Sequence, residues 1–181
     1  MSESDANLVS RALEGDLTAY ATLMARYRRD LGRYAFHMLG DRHDAEEALQ
    51  DAFVRAFRSL AQCEQPERFA AWLFRILVNR CRSARTRRRR LRAAFVHHPA
   101  PDFADHDEPA EAMAWREEIA RALAVLQPNQ REAFLLRYVE GLSYEEMATL
   151  TGVGESALRM RVKRARDRMR ELLSDVYVGG P

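Results

Sequence analysis

Apolar residues along this chain recur at spacings of three and four, and no stretch shows the period of two that a half-buried strand requires. The clearest case lies near the C-terminus. Leu158, Val162, Ala165, Met169 and Leu172 follow at intervals of four, three, four and three, which is one buried stripe of a helix. A shorter helix precedes it. Ser143 and Glu146 have the Ser-x-x-Glu spacing that satisfies two free N–H groups at a helix start. Met147, Ala148 and Leu150 supply its apolar side, and Gly152 offers a turn position that accepts positive φ. A capped short helix, a Gly turn and a long second helix predict a helix-turn-helix.

The same periodicity covers most of the remaining chain. A first helix is expected from Asp5 to Glu14, broken by Gly15, with Asp16 capping the next. The second helix carries Tyr20, Leu23, Met24, Tyr27, Leu31, Tyr34, Ala35 and Met38 on one stripe and ends near Gly40. Asp44, with Glu47 three residues on, is read as opening a third helix. Its stripe is Ala45, Ala48, Leu49, Ala52, Phe53, Ala56 and Phe57. After a connection from Leu60 to Glu67, a fourth helix starts near Arg68 with Phe69, Trp72, Leu73 and Ile76 inward. Further on, Ala112, Ile119, Leu123 and Leu126 mark one helix. Pro128 starts another, carrying Phe134, Leu135 and Tyr138 and closing near Gly141. Between the two groups lies a stretch with Pro99, Pro101 and Pro109. The expected fold is all-α: two small helical domains, residues 1–92 and 112–181, joined by a flexible acidic linker, 93–111, with the helix-turn-helix in the second.

Charge sharpens this division. The net charge is +2, but residues 1–92 carry 18 basic and 12 acidic side chains, residues 93–111 none and five, and residues 112–181 carry 11 and 10. No apolar run has the length of a membrane span, and MSESDANLVS lacks the apolar core of a signal peptide, so no membrane insertion and a cytoplasmic location are expected. Cys63 and Cys81 form no C-x-x-C pair and read as reduced thiols. His97, His98 and His106 read as solvated loop histidines. No metal or other cofactor is expected.

Three charged surfaces are candidates for function. On the third helix, Asp44, Glu47 and Asp51 fall at i, i+3 and i+7, flanked by Glu46 and Gln50. No His, Cys or Gly-rich phosphate loop accompanies these carboxylates, so they suit a basic partner better than catalysis, and no enzymatic activity is expected. The fourth helix is the reverse, with nine arginines and no acid between Arg75 and Arg92. Its Arg75, Arg80, Arg82 and Arg85 suit a polyanion, and Asn79, one turn after Arg75, can hydrogen-bond a base or phosphate. Trp72 and Phe69 can stack on unpaired bases but at helical spacing fit a core better. The third surface is the long helix of the hairpin, where seven basic residues face one acid between Ser156 and Arg170. Ser156, Arg159, Met160, Lys163 and Arg164 lie opposite its apolar stripe, as a helix entering a DNA major groove requires.

Three segments together are specific. DAEEALQDAFVRAF (44–57), RFAAWLFRILVNRCRS (68–83) and LQPNQREAFLLRYVEGLSYEEMATLTGVGESALRMRVKRARDRMREL (126–172) resemble the extracytoplasmic-function sigma factors, the small two-domain members of the bacterial sigma-70 family. The resemblance spans roughly Leu8 to Leu173. It implies a subunit that binds core RNA polymerase through its β′ and β subunits, directs it to promoter DNA and helps open it. The 44–57 helix matches the family's docking surface for the β′ coiled coil. Arg68 to Arg85 matches the segment that reads and opens the −10 element, and the preceding connection matches the loop that captures a flipped base. Arg159, Met160, Lys163 and Arg164 match groove-facing positions of the −35 reader. The family also commonly works with an anti-sigma factor or another regulator. Ala157, Leu158, Met160 and Gly154 depart from its usual recognition-helix residues, so its usual −35 sequence does not transfer. The alternative function is a stand-alone helix-turn-helix regulator of duplex DNA, which leaves the acidic row and the arginine run unexplained.

Overall fold

The computed structural model describes residues 3–91 and 110–177, with side chains for 3–87 and 117–174. Among these residues there are helices and turns and no strand. The chain divides into two compact units, Met1–Phe103 and Ala104–Pro181. The expected linker, 93–111, lies outside the described residues except for its last two positions, where a helix has begun, and the three loop histidines lie there too.

In the first unit four helices surround one core. Helix α1, Asp5–Leu13, is capped by Ser4, whose hydroxyl accepts from the Asn7 N–H. Helix α2, Leu17–Leu39, is capped by Asp16, whose carboxylate accepts from Thr18 and Ala19, and ends on Gly40 in the left-handed region at φ 68°. Helix α3, Arg42–Arg58, starts earlier than the sequence suggests. Asp41 is its cap, accepting from the Asp44 N–H, so Asp44 belongs to the first turn. Its alanines sit where α2 and α4 press on it: Ala45, Ala48, Ala52 and Ala56 are buried, and a residue without a long side chain lets the helices approach. Phe57, expected inside, stays 46% exposed and meets the edge of Tyr20 at 5.0 Å between centroids. The connection folds into two short 3-10 turns, Leu60–Gln62 and Pro66–Arg68.

Helix α4, Phe69–Leu91, brings Phe69, Leu73, Phe74, Leu77, Val78 and Cys81 into the core, against Tyr34 of α2 among others. Trp72 and Ile76 are half-buried at its margin. A stripe of five or more fully buried apolar side chains, each contributing about 1.5–3 kcal/mol, holds this helix in place despite its crowded positive charge.

The second unit packs α5, α6 and α7 on α8. Helix α5 is Ala110–Val125 and α6 is Pro128–Phe134. Helix α6 runs into a π turn, Leu135–Val139, in which the Glu140 N–H reaches back five residues to the Leu135 carbonyl. The wider turn shifts the register, so Leu135 and Leu136 are buried while Tyr138, expected inside, is 51% exposed. Helix α7 is Tyr144–Thr151 and α8 is Glu155–Tyr177. Both halves of the capping box are made: the Ser143 N–H donates to Glu146 at 2.8 Å and the Glu146 N–H to Ser143 Oγ at 3.2 Å. Gly152 turns the chain at φ 68°. Leu158, Val162, Ala165 and Met169 of α8 are buried and Met147 of α7 is fully so.

Candidate nucleic-acid and partner interfaces

The acidic row of α3 is present as a surface, but the chain's own arginines partly engage it. Glu46 accepts from Arg42 at 2.9 Å, an i,i+4 pair along the helix. Glu47 accepts from Arg87 of α4 at 2.7 Å. The Arg87 guanidinium is shifted above its ordinary pKa, foremost by that hydrogen bond, with the charges of Asp44 and Asp51 adding to it. Gln50 and Asp51 are exposed. The row then continues into apolar surface that the sequence reading missed, since Val54 is 51% exposed and follows Gln50 and Glu47 at i+4 and i+7. Exposed Val54 and Phe57 share this side of α3 because the alanines fill the side toward the core.

Beyond Asp51 the surface turns basic. A hollow of about 380 Å³ opens between the end of α3, the first 3-10 turn and α4, lined by Asp51, Val54, Arg55, Arg58, Ser59, Gln62 and Arg80. Three guanidinium groups face one carboxylate there, and Nε of Arg80 is buried without a hydrogen-bond partner. Such a site suits an anionic or acceptor-rich ligand that can restore the missing bond. Arg75 and Asn79 are exposed farther along α4, and Arg80, Arg82 and Arg85 are half-buried. Cys63 and Cys81 are both buried and neither is in a disulfide, and burial pushes the Cys63 thiol up. Among the described residues no group of His, Cys, Asp and Glu could hold a metal ion. No helix of the described residues is long and apolar enough to cross a membrane.

In the second unit, burial of the α8 stripe turns Ser156, Arg159, Met160, Lys163 and Arg164 outward, and all five are exposed. Met160 is a large apolar side chain left 47% exposed amid charge. Arg159 does not hang free. It donates to the Glu155 carboxylate at 2.6 Å, and its guanidinium carbon lies 4.4 Å from the centre of the Tyr144 ring. Arg137, from the π turn, lies 5.4 Å from the same ring and donates to the Leu142 carbonyl at 2.9 Å. Neither Arg137 nor Tyr144 stands out in the sequence. The π turn that carries Arg137 to this place has no period-based signal, and Tyr144 looks like an ordinary first-turn residue after its cap.

Comparison with known families matches residues 23–91 to sigma-70 region 2 and residues 116–169 to sigma-70 region 4. The ECF RNA polymerase sigma factor SigM of Mycobacterium tuberculosis is 34% identical over 182 residues, covering 97% of this chain and 88% of SigM. The ECF RNA polymerase sigma factor SigE of Mycolicibacterium smegmatis is 32% identical over 167 residues, 87% of this chain, and the match spans 63% of SigE. Among solved structures, the sigma factor RpoE from Bartonella quintana, in complex with the anti-sigma factor NepR, superposes with a TM-score of 0.71 at 28% identity. That match covers 86% of this chain and 96% of RpoE.

Proposed function

The chain belongs to the extracytoplasmic-function sigma factors of the sigma-70 family, which direct RNA polymerase to promoters, and from that premise we propose how its surfaces divide the work. Residues 1–92 form a domain for core polymerase and the −10 element, residues 93–111 a linker, and residues 112–181 a domain for the −35 element. The protein acts in the cytoplasm and brings no catalytic group of its own.

Docking falls to α3. Asp44, Glu46, Glu47, Gln50 and Asp51 meet a basic partner, the coiled coil of the β′ subunit, and exposed Val54 and Phe57 supply the apolar centre that such an interface needs. Opening falls to α4 and the hollow beside it. Arg75, Asn79, Arg80, Arg82 and Arg85 follow the phosphates. The unpaired nucleotide is assigned to the hollow of about 380 Å³ in which Arg55, Arg58 and Arg80 outnumber the single carboxylate of Asp51, and its acceptors would satisfy the buried Arg80 Nε. Trapping a base outside the stack lowers the cost of unpairing the strand. Reading of the −35 element falls to Ser156, Arg159, Met160, Lys163 and Arg164, with a thioether at Met160 suited to a thymine methyl.

The observation that carries this division is the pairing of an acidic, partly apolar face on α3 with an arginine-rich helix beside it in the same unit. A regulator that binds duplex DNA by itself needs neither. An anti-sigma partner is part of the proposal as well, since RpoE is held by one in its solved complex. The test is a mobility-shift assay on promoter DNA with and without core polymerase. A specific complex that forms with polymerase supports the reading. An equally specific complex of the chain alone with a palindromic site would support the stand-alone regulator instead.

A further inference from the structure

We propose that Tyr144 is a positioning residue for promoter specificity. Its ring fixes the guanidinium of Arg159 so that Arg159 presents its remaining donors to a base edge. This rests on the reading of α8 as the −35 recognition helix.

A lone arginine on an exposed helix face samples many rotamers, and ordering it on a base costs side-chain entropy. Arg159 has two restraints from different directions. Glu155, one turn earlier on α8, accepts from Nη2 at 2.6 Å. Tyr144, at the first position of α7, offers its ring at 4.4 Å from the guanidinium carbon, well inside cation–π range. The carboxylate holds one edge and the ring holds the plane. A planar fork with five donors, held this way, keeps donors for a bidentate contact to guanine O6 and N7. Tyr144 itself is placed by the capping box, because Ser143 and Glu146 fix the first turn of α7 on which it stands. The contact therefore links the two helices of the hairpin through the side chain that is to read the base.

Arg137 completes the cluster. It sits 5.4 Å from the same ring, tied to the Leu142 carbonyl, and so brings a second cation close to the first. The Glu155 carboxylate balances one of these two charges, and the other is left for a further anion. Arg137 is accordingly assigned to a backbone phosphate beside the base that Arg159 reads, a contact that adds affinity without sequence information.

The experiment selects −35 variants from a library by transcription with core polymerase, using the full chain as wild type, Tyr144→Phe, Tyr144→Leu, Arg159→Ala and Arg137→Ala. Phenylalanine keeps the ring and leucine removes it. Tyr144→Leu is expected to lose roughly 2- to 30-fold of the preference at one base pair, the one flattened by Arg159→Ala, with the salt dependence unchanged. Tyr144→Phe should keep that preference within about twofold of wild type, since the ring remains. Arg137→Ala should weaken all variants alike and lower the salt slope. Circular dichroism of each variant confirms that the helices are intact. A Tyr144→Leu profile identical in shape to wild type, or Tyr144→Phe as damaging as Tyr144→Leu, overturns the positioning role while leaving Arg159 as reader. No change with Arg159→Ala would instead overturn the recognition-helix reading and this inference with it.

Discussion

Arg87 Nη2 of α4 lies 2.7 Å from Glu47 Oε1 of α3, so the arginine-rich helix and the acidic helix of the first unit touch through opposite charges. Both side chains remain substantially exposed, which makes the contact exchangeable. A basic partner docking on α3, as proposed, would compete with Arg87 for Glu47.

Charge reversal of Glu47 and Asp51 to Arg should therefore weaken binding to core polymerase. Each lost charge-assisted contact is worth on the order of 1–3 kcal/mol. Titration of labelled protein with core polymerase reads the loss, and circular dichroism should show unchanged helix content. Unchanged affinity would remove α3 as the docking surface.

Val54 and Phe57 separate docking from folding. Val54→Ala should alter stability by less than about 0.5 kcal/mol, as expected for an exposed site, while lowering polymerase affinity. Leu77→Ala, at a fully buried position on α4, should cost about 2–5 kcal/mol by denaturant unfolding. Equal losses of stability at the two sites would mean that Val54 is packed rather than presented.

These two positions also show what the sequence could and could not disclose. The alanine stripe of α3, the Asp16 cap, the Ser143–Glu146 box and the Gly152 turn all follow from local rules, and the structure has each of them. Phe57 belongs to the same periodic stripe, but it lies at the stripe's margin: Ala56 beside it is fully buried, while Tyr20 of α2 meets Phe57 and still leaves it 46% exposed, and periodicity carries no information about how wide the covered face is. Tyr138 fails for a different reason: a π turn widens the helix locally, and the 3.6-residue period ceases to apply. Asp41 and Asp44 both suit a cap, and the choice between them rests on backbone geometry. The charged residues are visible in the sequence, but their long-range partners, Arg87 for Glu47 and Tyr144 for Arg159, depend on how separate helices meet.

The helix-turn-helix should be sensitive at its two local devices. Ser143→Ala removes the cap hydroxyl and should cost about 1 kcal/mol. A side chain at Gly152 would meet no neighbouring atom within 4 Å, so Gly152→Ala should cost about 1–2 kcal/mol from its left-handed backbone alone. Thermal unfolding of the full chain measures both. A neutral Gly152→Ala would mean that the turn relaxes to another conformation.

Two tyrosines set an alkaline limit on stability. Burial foremost pushes the Tyr20 phenol from 10.0 up to about 12, and burial likewise raises Tyr27 to about 12, with hydrogen bonding to Asp5 adding to it. The folded state thus holds these protons more tightly than the unfolded chain. Their stabilisation is fully present below about pH 10 and is lost as pH rises through about 12. Unfolding midpoints should fall across that window in step with tyrosinate absorbance, and the double variant Tyr20→Phe, Tyr27→Phe should show a shallower fall. A wild-type midpoint that stays flat to pH 12 would contradict the assignment.

The most direct measurement is transcription in vitro with core polymerase, this chain and a genomic template library, followed by mapping of the 5′ ends. Discrete start sites are expected that depend on the chain and share two upstream elements at one fixed spacing. Arg159→Ala should change the distal element, and substitutions at Arg75 and Asn79 the proximal one. Start sites identical with and without the chain, or a single shared element altered by both sets of substitutions, would contradict the proposed division of work.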